Sequence, residues 1–250
     1  MNFPVTVSLG NFIFPLHGIF EFAAFFAGFR YFLYLRKKQH DPIISTNRMW
    51  ILIGAIFGSV IGSRLIGGLE DPTQIKMADN ILLYFYQNKT VLGGFLGGLW
   101  GVELIKKIIK EKNSSGDLFT YPMLLALMIG RIGCFSMGVY EETYGTVTNF
   151  ITGMNLGDGR MRHPVTLYEI FFLGLLWISL VQIGKKWKLA PGERFKIFMV
   201  AYCCFRFLLD IIKPHYTWAI GLSTIQITSL IGLCYYLIIY FHNKNLHLGK

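Results

Sequence analysis

Apolar runs of membrane-crossing length recur along the chain, and two of them carry an arginine in their interior. A helix needs about 20 predominantly apolar residues to cross a hydrocarbon core of ~30 Å. Seven such runs are read at 12–35, 50–68, 92–109, 120–140, 165–184, 195–212 and 222–241, the third being short and glycine-rich. With 53% hydrophobic residues and a mean hydropathy of +0.47, the chain is too apolar for an ordinary soluble domain. The expected fold is an all-α integral membrane protein, a single polytopic domain over 1–250 with about seven transmembrane helices.

The basic residues set an orientation. Arg36, Lys37, Lys38 and Arg48 follow the first run, and Lys106, Lys107, Lys110 and Lys112 follow the third. Lys185, Lys186, Lys188, Arg194 and Lys196 separate the fifth and sixth, and Lys244 and Lys250 close the chain. The opposite side holds Lys76, Lys89, Arg160, Arg162 and Lys213. Basic loops stay in the cytoplasm, so the N-terminus is expected outside and the C-terminus inside. The net charge of +10 is therefore a topology signal, and nucleic acid is not an expected partner. No Lys or Arg precedes residue 16, which argues against a cleaved secretory signal with a basic start. Cys134, Cys203, Cys204 and Cys234 lie in apolar runs without metal-ligand spacing and read as small core residues or reduced thiols.

Arg131 and Arg206 are the most informative residues. A guanidinium at membrane depth costs at least ~2.5 kcal/mol and faces the protein interior or a watery cavity, so two of them suggest a buried anion site. The most abundant anion in a bilayer is a lipid phosphate. The expected topology puts Arg64, Arg131 and Arg206 at similar depth toward the outer leaflet, with His17, Glu21, His163 and Glu169 at the same level. Blander readings stand beside this one. Arg64 can snorkel to the interface, Arg30 belongs near the inner headgroups or pairs within the protein, and Arg206 with Asp210, four residues apart, suits a structural ion pair.

Gly93, Gly94, Gly97, Gly98 and Gly101 give the third run overlapping small-xxx-small pairs, a device for close helix approach in lipid; a glycine face also leaves room for a headgroup. The outer segment 141–164 is polar and long, as functional arms are. Gly157-Asp158-Gly159 reads as a turn, and Pro164 suits a helix start because its missing N–H is an orphan there.

Taken in order, these residues resemble the bacterial prolipoprotein diacylglyceryl transferase family over nearly the whole chain. Gly130-Arg-Ile-Gly-Cys-Phe135 is similar to its Gly-Arg-Ile-Gly-Asn-Phe signature, and Arg162-His-Pro-Val-Thr-Leu-Tyr-Glu169 to its Arg-His-Pro-Ser-Gln-Leu-Tyr-Glu block. Phe205-Arg-Phe-Leu-Leu-Asp-Ile-Ile-Lys213 resembles its Arg-Phe-x-x-Glu-x-x-Arg helix, and Leu16-His-Gly18 and Gly221-Leu-Ser-x-x-Gln226 also fit. The resemblance implies transfer of a diacylglyceryl group from phosphatidylglycerol to the lipobox cysteine thiol of an exported prolipoprotein, with glycerol phosphate leaving. It implies a multi-pass protein of the bacterial inner membrane, open to the outer leaflet and without metal or organic cofactor. Arg131 and Arg206 would bind and polarise the phosphate. His163, Tyr168 and Glu169 would organise the outer edge, with Arg64, Gly97, Gly98, Gly130, Gly133, Cys134 and Asp210 completing the substrate site.

The departures fall on proton handling. The histidine of the family's His-Gly-Gly-Leu-x-Gly stretch is Leu96 here, and its signature asparagine is Cys134. Its helix-six Glu and Arg are Asp210 and Lys213, and the stretch Val139-Tyr-Glu-Glu-Thr-Tyr144 differs as well. His17, His163 or Glu21 would then act as base, and Cys134 is either a buried thiol or a covalent way-station. Two other readings remain: a non-catalytic lipid binder or flippase-like relative, and a transferase with a different acceptor.

Overall fold

The computed structural model describes residues 3–9, 12–39 and 41–248. Lys250, counted above among the inner charges, lies outside them. Helices dominate, because a backbone in hydrocarbon must satisfy its own polar groups. Two compact units form: one is Met1–His40, Ser115–Phe198 and Ile211–Pro214, the other Asp41–Ser114, Met199–Asp210 and His215–Lys250.

The first unit opens with a hairpin of strands β1 (Thr6–Leu9) and β2 (Phe12–Pro15), antiparallel with Thr6 opposite Pro15. The expected helix from residue 12 therefore begins only with α1 (Leu16–Lys38). Proline is the reason for the boundary, since it disfavours a helical residue before it. Val5 N–H donates to the Ser136 carbonyl at 2.8 Å, tying the hairpin to the end of the next long helix of the unit.

That helix is called α6 (Asp117–Met137), and α7 (Val165–Lys186) follows it; α2 to α5 belong to the second unit. Helices α1 and α6 run antiparallel. The Phe32 and Phe119 rings stack at 4.5 Å, Gly28 meets Ala126, and Gly133 meets Phe20 and His17. Trp177 of α7 packs on Tyr121 at 5.3 Å and on Tyr31 at 6.0 Å. Phe22, Phe25, Phe26 and Phe29 project outward from α1, as they do on a helix surrounded by apolar solvent.

The second unit contains α2 (Ser45–Gly68), the short helices α3 (Pro72–Met77) and α4 (Ile81–Gln87), α5 (Val91–Ile108) and α9 (Thr224–Leu248). Helix α8 (Glu193–Leu209) starts in the first unit and continues in the second from Met199. The glycines of α5 act as packing devices. A Cβ at Gly97 would run into the Gly58 carbonyl, one at Gly101 into that of Gly54, and one at Gly93 into that of Gly62. A matching Gly54-xxx-Gly58-xxx-Gly62 stripe on α2 thus completes the pattern. Gly98 faces the Ser59 hydroxyl in the same way.

Among the described residues, five helices are long and apolar enough to cross a membrane: Leu16–Lys38, Ser45–Gly68, Asp117–Tyr140, Val165–Lys186 and Thr224–Phe241. The third and sixth expected runs fall short of that measure. Helix α5 has 18 residues and includes Glu103, Lys106 and Lys107, and α8 has 17. At 1.5 Å per residue each covers about 26 Å, just under the hydrocarbon thickness. Of the cysteines, Cys203 is buried and Cys134 half-buried, whereas Cys204 and Cys234 point outward rather than into a core.

Candidate functional site

The level at which α1, α6 and α7 meet in the first unit carries the densest polar chemistry. Arg131 lies on α6 two residues before Gly133, where a Cβ would come within 3.0 Å of Phe20 Cβ and 3.2 Å of the His17 carbonyl. Glycine there lets α1 approach and sets the His17 backbone against α6. Gly130 has no such duty, since its nearest neighbour would be Ala24 Cβ at 3.9 Å.

Arg131 Nε lies 2.9 Å from Glu169 Oε2 on α7. Both are buried, at 8% and 2% exposure, so neither charge is dissolved by water. A pair at this depth is costly to assemble and costlier still to break from one side. The same guanidinium donates through a terminal nitrogen to Cys134 Sγ at 3.6 Å. One nitrogen of His17, Cys134 Sγ and a carboxylate oxygen of Glu141 all lie within 4.8 Å of one another. His17 stands between two carboxylates: Nδ1 is 3.2 Å from Glu141 Oε2 and Nε2 is 3.6 Å from Glu21 Oε2. Arg131, Glu169, Cys134 and His17 of the expected site are thus brought together.

Glu141 was not among the expected site residues. Its signal in the sequence is weak: a carboxylate directly after an apolar run, in a stretch where the chain departs from the family pattern.

His163 and Tyr168 form a neighbouring pair. His163 Nδ1 and the Tyr168 hydroxyl are 3.1 Å apart, and that hydroxyl makes a short hydrogen bond with the Thr152 hydroxyl. Tyr168 stands on the first turn of α7, and the arm that supplies His163 and Thr152 is structured, unlike the loop expected. Strands β3 (Met154–Asn155) and β4 (Met161–Arg162) pair around Gly157 and Gly159, both with positive φ. Arg162 secures it: Nε donates to Asp158 at 2.8 Å, a terminal nitrogen donates to the Gly145 carbonyl at 3.2 Å, and the guanidinium lies over the Tyr144 ring. The hydrogen bond from Arg162 holds the Asp158 carboxyl below its ordinary 3.8. At the foot of the arm, Gly138 has φ of 59° and abuts the Leu156 carbonyl, a position that only glycine fills without strain. Pro164 caps the start of α7 as expected.

The other expected residues belong to the second unit. Arg206 is 6% exposed on α8. Asp210 follows in a short 3-10 turn and accepts a short hydrogen bond from the Ser223 hydroxyl; His215 Nδ1 is 3.8 Å from it. Ser223 and Gln226 form a reciprocal cap on α9, each backbone N–H donating at 3.0 Å to the other's side chain, which satisfies two orphan helix-end donors. The Gly221-Leu-Ser-x-x-Gln226 motif therefore has a plain structural duty. Arg64 places its guanidinium 4.9 Å from the centre of the Tyr86 ring. Gly97 and Gly98 are filled by α2, as described, and leave no space for a ligand against their α-carbons. Leu96 is half-buried, its side chain reaching toward Gly232 near the Cys203 sulfur.

Comparison with known proteins agrees with these motifs. The family model for prolipoprotein diacylglyceryl transferase matches residues 4–242. Among curated proteins, a phosphatidylglycerol–prolipoprotein diacylglyceryl transferase of Campylobacter hominis is 28% identical over 212 residues, covering 79% of this chain and 74% of that protein. One from Ehrlichia ruminantium is 32% identical over 183 residues, covering 70% and 67%, and one from Treponema denticola is 27% identical over 252 residues, covering 78% and 73%. With the motifs in order, apolar helices to carry them and a match over almost the full length, the chain belongs to the prolipoprotein diacylglyceryl transferase family, whose members are membrane transferases.

Proposed function

We propose that this chain transfers a diacylglyceryl group from phosphatidylglycerol to the lipobox cysteine of an exported prolipoprotein, at a site open to the outer leaflet of the bacterial inner membrane. In this reading α5 and α8 also cross the bilayer, giving seven spans in one domain with the N-terminus outside, and the 141–164 arm lies on the outer side. The activity for which the relatives are named and the topology from the basic loops support it.

The observation that carries the reading is the buried Arg131 beside a group able to handle a proton. A thiolate attacks the glycerol carbon that bears the phosphate; the S–C bond forms, the C–O bond breaks, and glycerol phosphate leaves. Negative charge grows on the departing phosphate, and a guanidinium with fixed geometry stabilises it. Arg131 takes that role in the first unit, oriented by Glu169, and Arg206 is assigned the same task from α8. Leu96 has no lone pair to accept a proton, so activation of the thiol falls to the cluster of His17, Glu141 and Glu21. In the first unit His163, Tyr168 and Cys134 complete the site; the resemblance alone assigns Arg64 and Asp210 to substrate binding.

The lack of a proton acceptor at Leu96 favours one rival, a lipid-binding relative without catalysis. The test is phosphatidylglycerol proteoliposomes with a lipobox-cysteine peptide, following release of glycerol phosphate. Peptide-dependent release supports the transferase. Lipid retained without release identifies a binder, and release without lipid on the peptide points to another acceptor.

A further inference from the structure

His17, far away in the sequence, converges with Cys134 and Glu141, the three ligand atoms lying within 4.8 Å of one another. The 3.2 Å between His17 Nδ1 and Glu141 Oε2 is close to the edge of a tetrahedron with bonds of about 2.0 Å, which is about 3.3 Å. Both atoms are shielded from solvent and face each other. On its other side, His17 Nε2 faces Glu21, the carboxylate–histidine arrangement that fixes the ring of a metal-ligating histidine.

We infer that His17, Cys134 and Glu141 form a binding site for a thiophilic divalent cation, Zn2+ being the best match to an imidazole, a thiolate and a carboxylate. Three protein ligands leave a fourth position open, and that position suits the acceptor thiol. As the acceptor sulfur takes it, the S–H bond breaks and the proton passes to water, since metal binding to thiols releases protons. The ion stays divalent and no electrons move. The bound thiolate then attacks the lipid as described above. The inference rests on the transferase reading for the identity of the fourth ligand, but the site itself does not. It also gives Cys134 a role: Arg131 donates to its sulfur at 3.6 Å, as N–H donors do to metal thiolates, and an ion there would do the work that Leu96 cannot.

The test uses the full chain in detergent, purified with a tag that binds no metal, stripped with a chelator and titrated with Zn2+ alone or Co2+ alone. The expected result is saturation at one ion per chain, with the Co2+ form showing tetrahedral d–d bands and a sulfur-to-cobalt charge-transfer band. Cys134→Asn abolishes the charge-transfer band, and Glu21→Gln weakens binding about 10- to 100-fold. X-ray absorption at the zinc edge of the unsubstituted protein, which requires no variant to fold, gives one sulfur at about 2.3 Å. Sub-stoichiometric binding, or a shell without sulfur, overturns the site. Full-rate lipid transfer by the stripped protein overturns its role in catalysis. Stoichiometric, sulfur-ligated metal in a protein that transfers no lipid keeps the site and removes the transferase reading instead.

Discussion

Each compact unit buries an arginine against a carboxylate, and the two pairs differ in what they join. In the second unit Arg48, 1% exposed, sits in the first turn of α2 and reaches Asp41, seven residues back, with two nitrogens, Nε at 2.9 Å and a terminal nitrogen in a short contact. The pair fastens the chain entering α2 to that helix, a local clamp. In the first unit Arg131 joins α6 to α7 through Glu169 and extends another nitrogen to Cys134, beside His17. One arginine closes a turn. The other holds a helix interface and reaches toward reactive groups. A buried ion pair is therefore no mark of function by itself; what its remaining nitrogens face decides.

The largest expected effect separates the pairs directly. Replacing both partners by apolar residues, as Arg131→Met with Glu169→Leu, should keep the protein folded yet lower lipid transfer by about 100- to 1,000-fold. Arg48→Met with Asp41→Leu should leave transfer per folded molecule unchanged. Retained activity in the first double variant would make the Arg131 pair another clamp. Next in size, Arg48→Ala alone removes the buried counter-charge of Asp41 and should cost about 3–5 kcal/mol of stability, read as a lowered unfolding midpoint in detergent.

The units also differ in how their helices approach. Gly97→Leu drives a side chain into the Gly58 carbonyl and should cost up to about 3 kcal/mol. Gly130→Ala, with its nearest neighbour at 3.9 Å, should leave the midpoint within about 0.5 kcal/mol. The smallest effect belongs to the arm. Asp158 is held below 3.8 by Arg162, so its contribution is present above that pH and is lost as pH falls through the lower folded value. Hydrogen exchange across 154–162 should stay slow at mild acidity and quicken only below the ordinary aspartate range.

Helical periodicity and apolar length made the long helices readable within a few residues, and the glycines of α5 announced close packing. The partner stripe Gly54, Gly58 and Gly62 was equally regular but passed unnoticed, because its serine and isoleucine neighbours make α2 look like an ordinary span. Arg48 read as a loop charge since polar residues flank it, and burial is a tertiary property that no local window contains. Arg131 stood out for the opposite reason, an ion amid apolar neighbours. The meeting of His17, Cys134 and Glu141 was invisible: it depends on Gly133 admitting α1 and on the chain beyond α6 folding back, neither of which leaves a spacing to count. The strand pairs β1–β2 and β3–β4 were missed because the strands are short and lie beside stronger helix signals.

The central claim is that the Arg131 cluster supports thioether formation without a histidine at position 96. The most direct test is the intact mass of a lipobox peptide after incubation with the protein in phosphatidylglycerol vesicles, beside the Arg131→Met, Glu169→Leu double variant. The account predicts a diacylglyceryl mass increment on the peptide's cysteine with the unsubstituted protein, lost with the folded double variant. An increment of equal yield from both proteins, or none from the unsubstituted protein while it still binds phosphatidylglycerol, would contradict it.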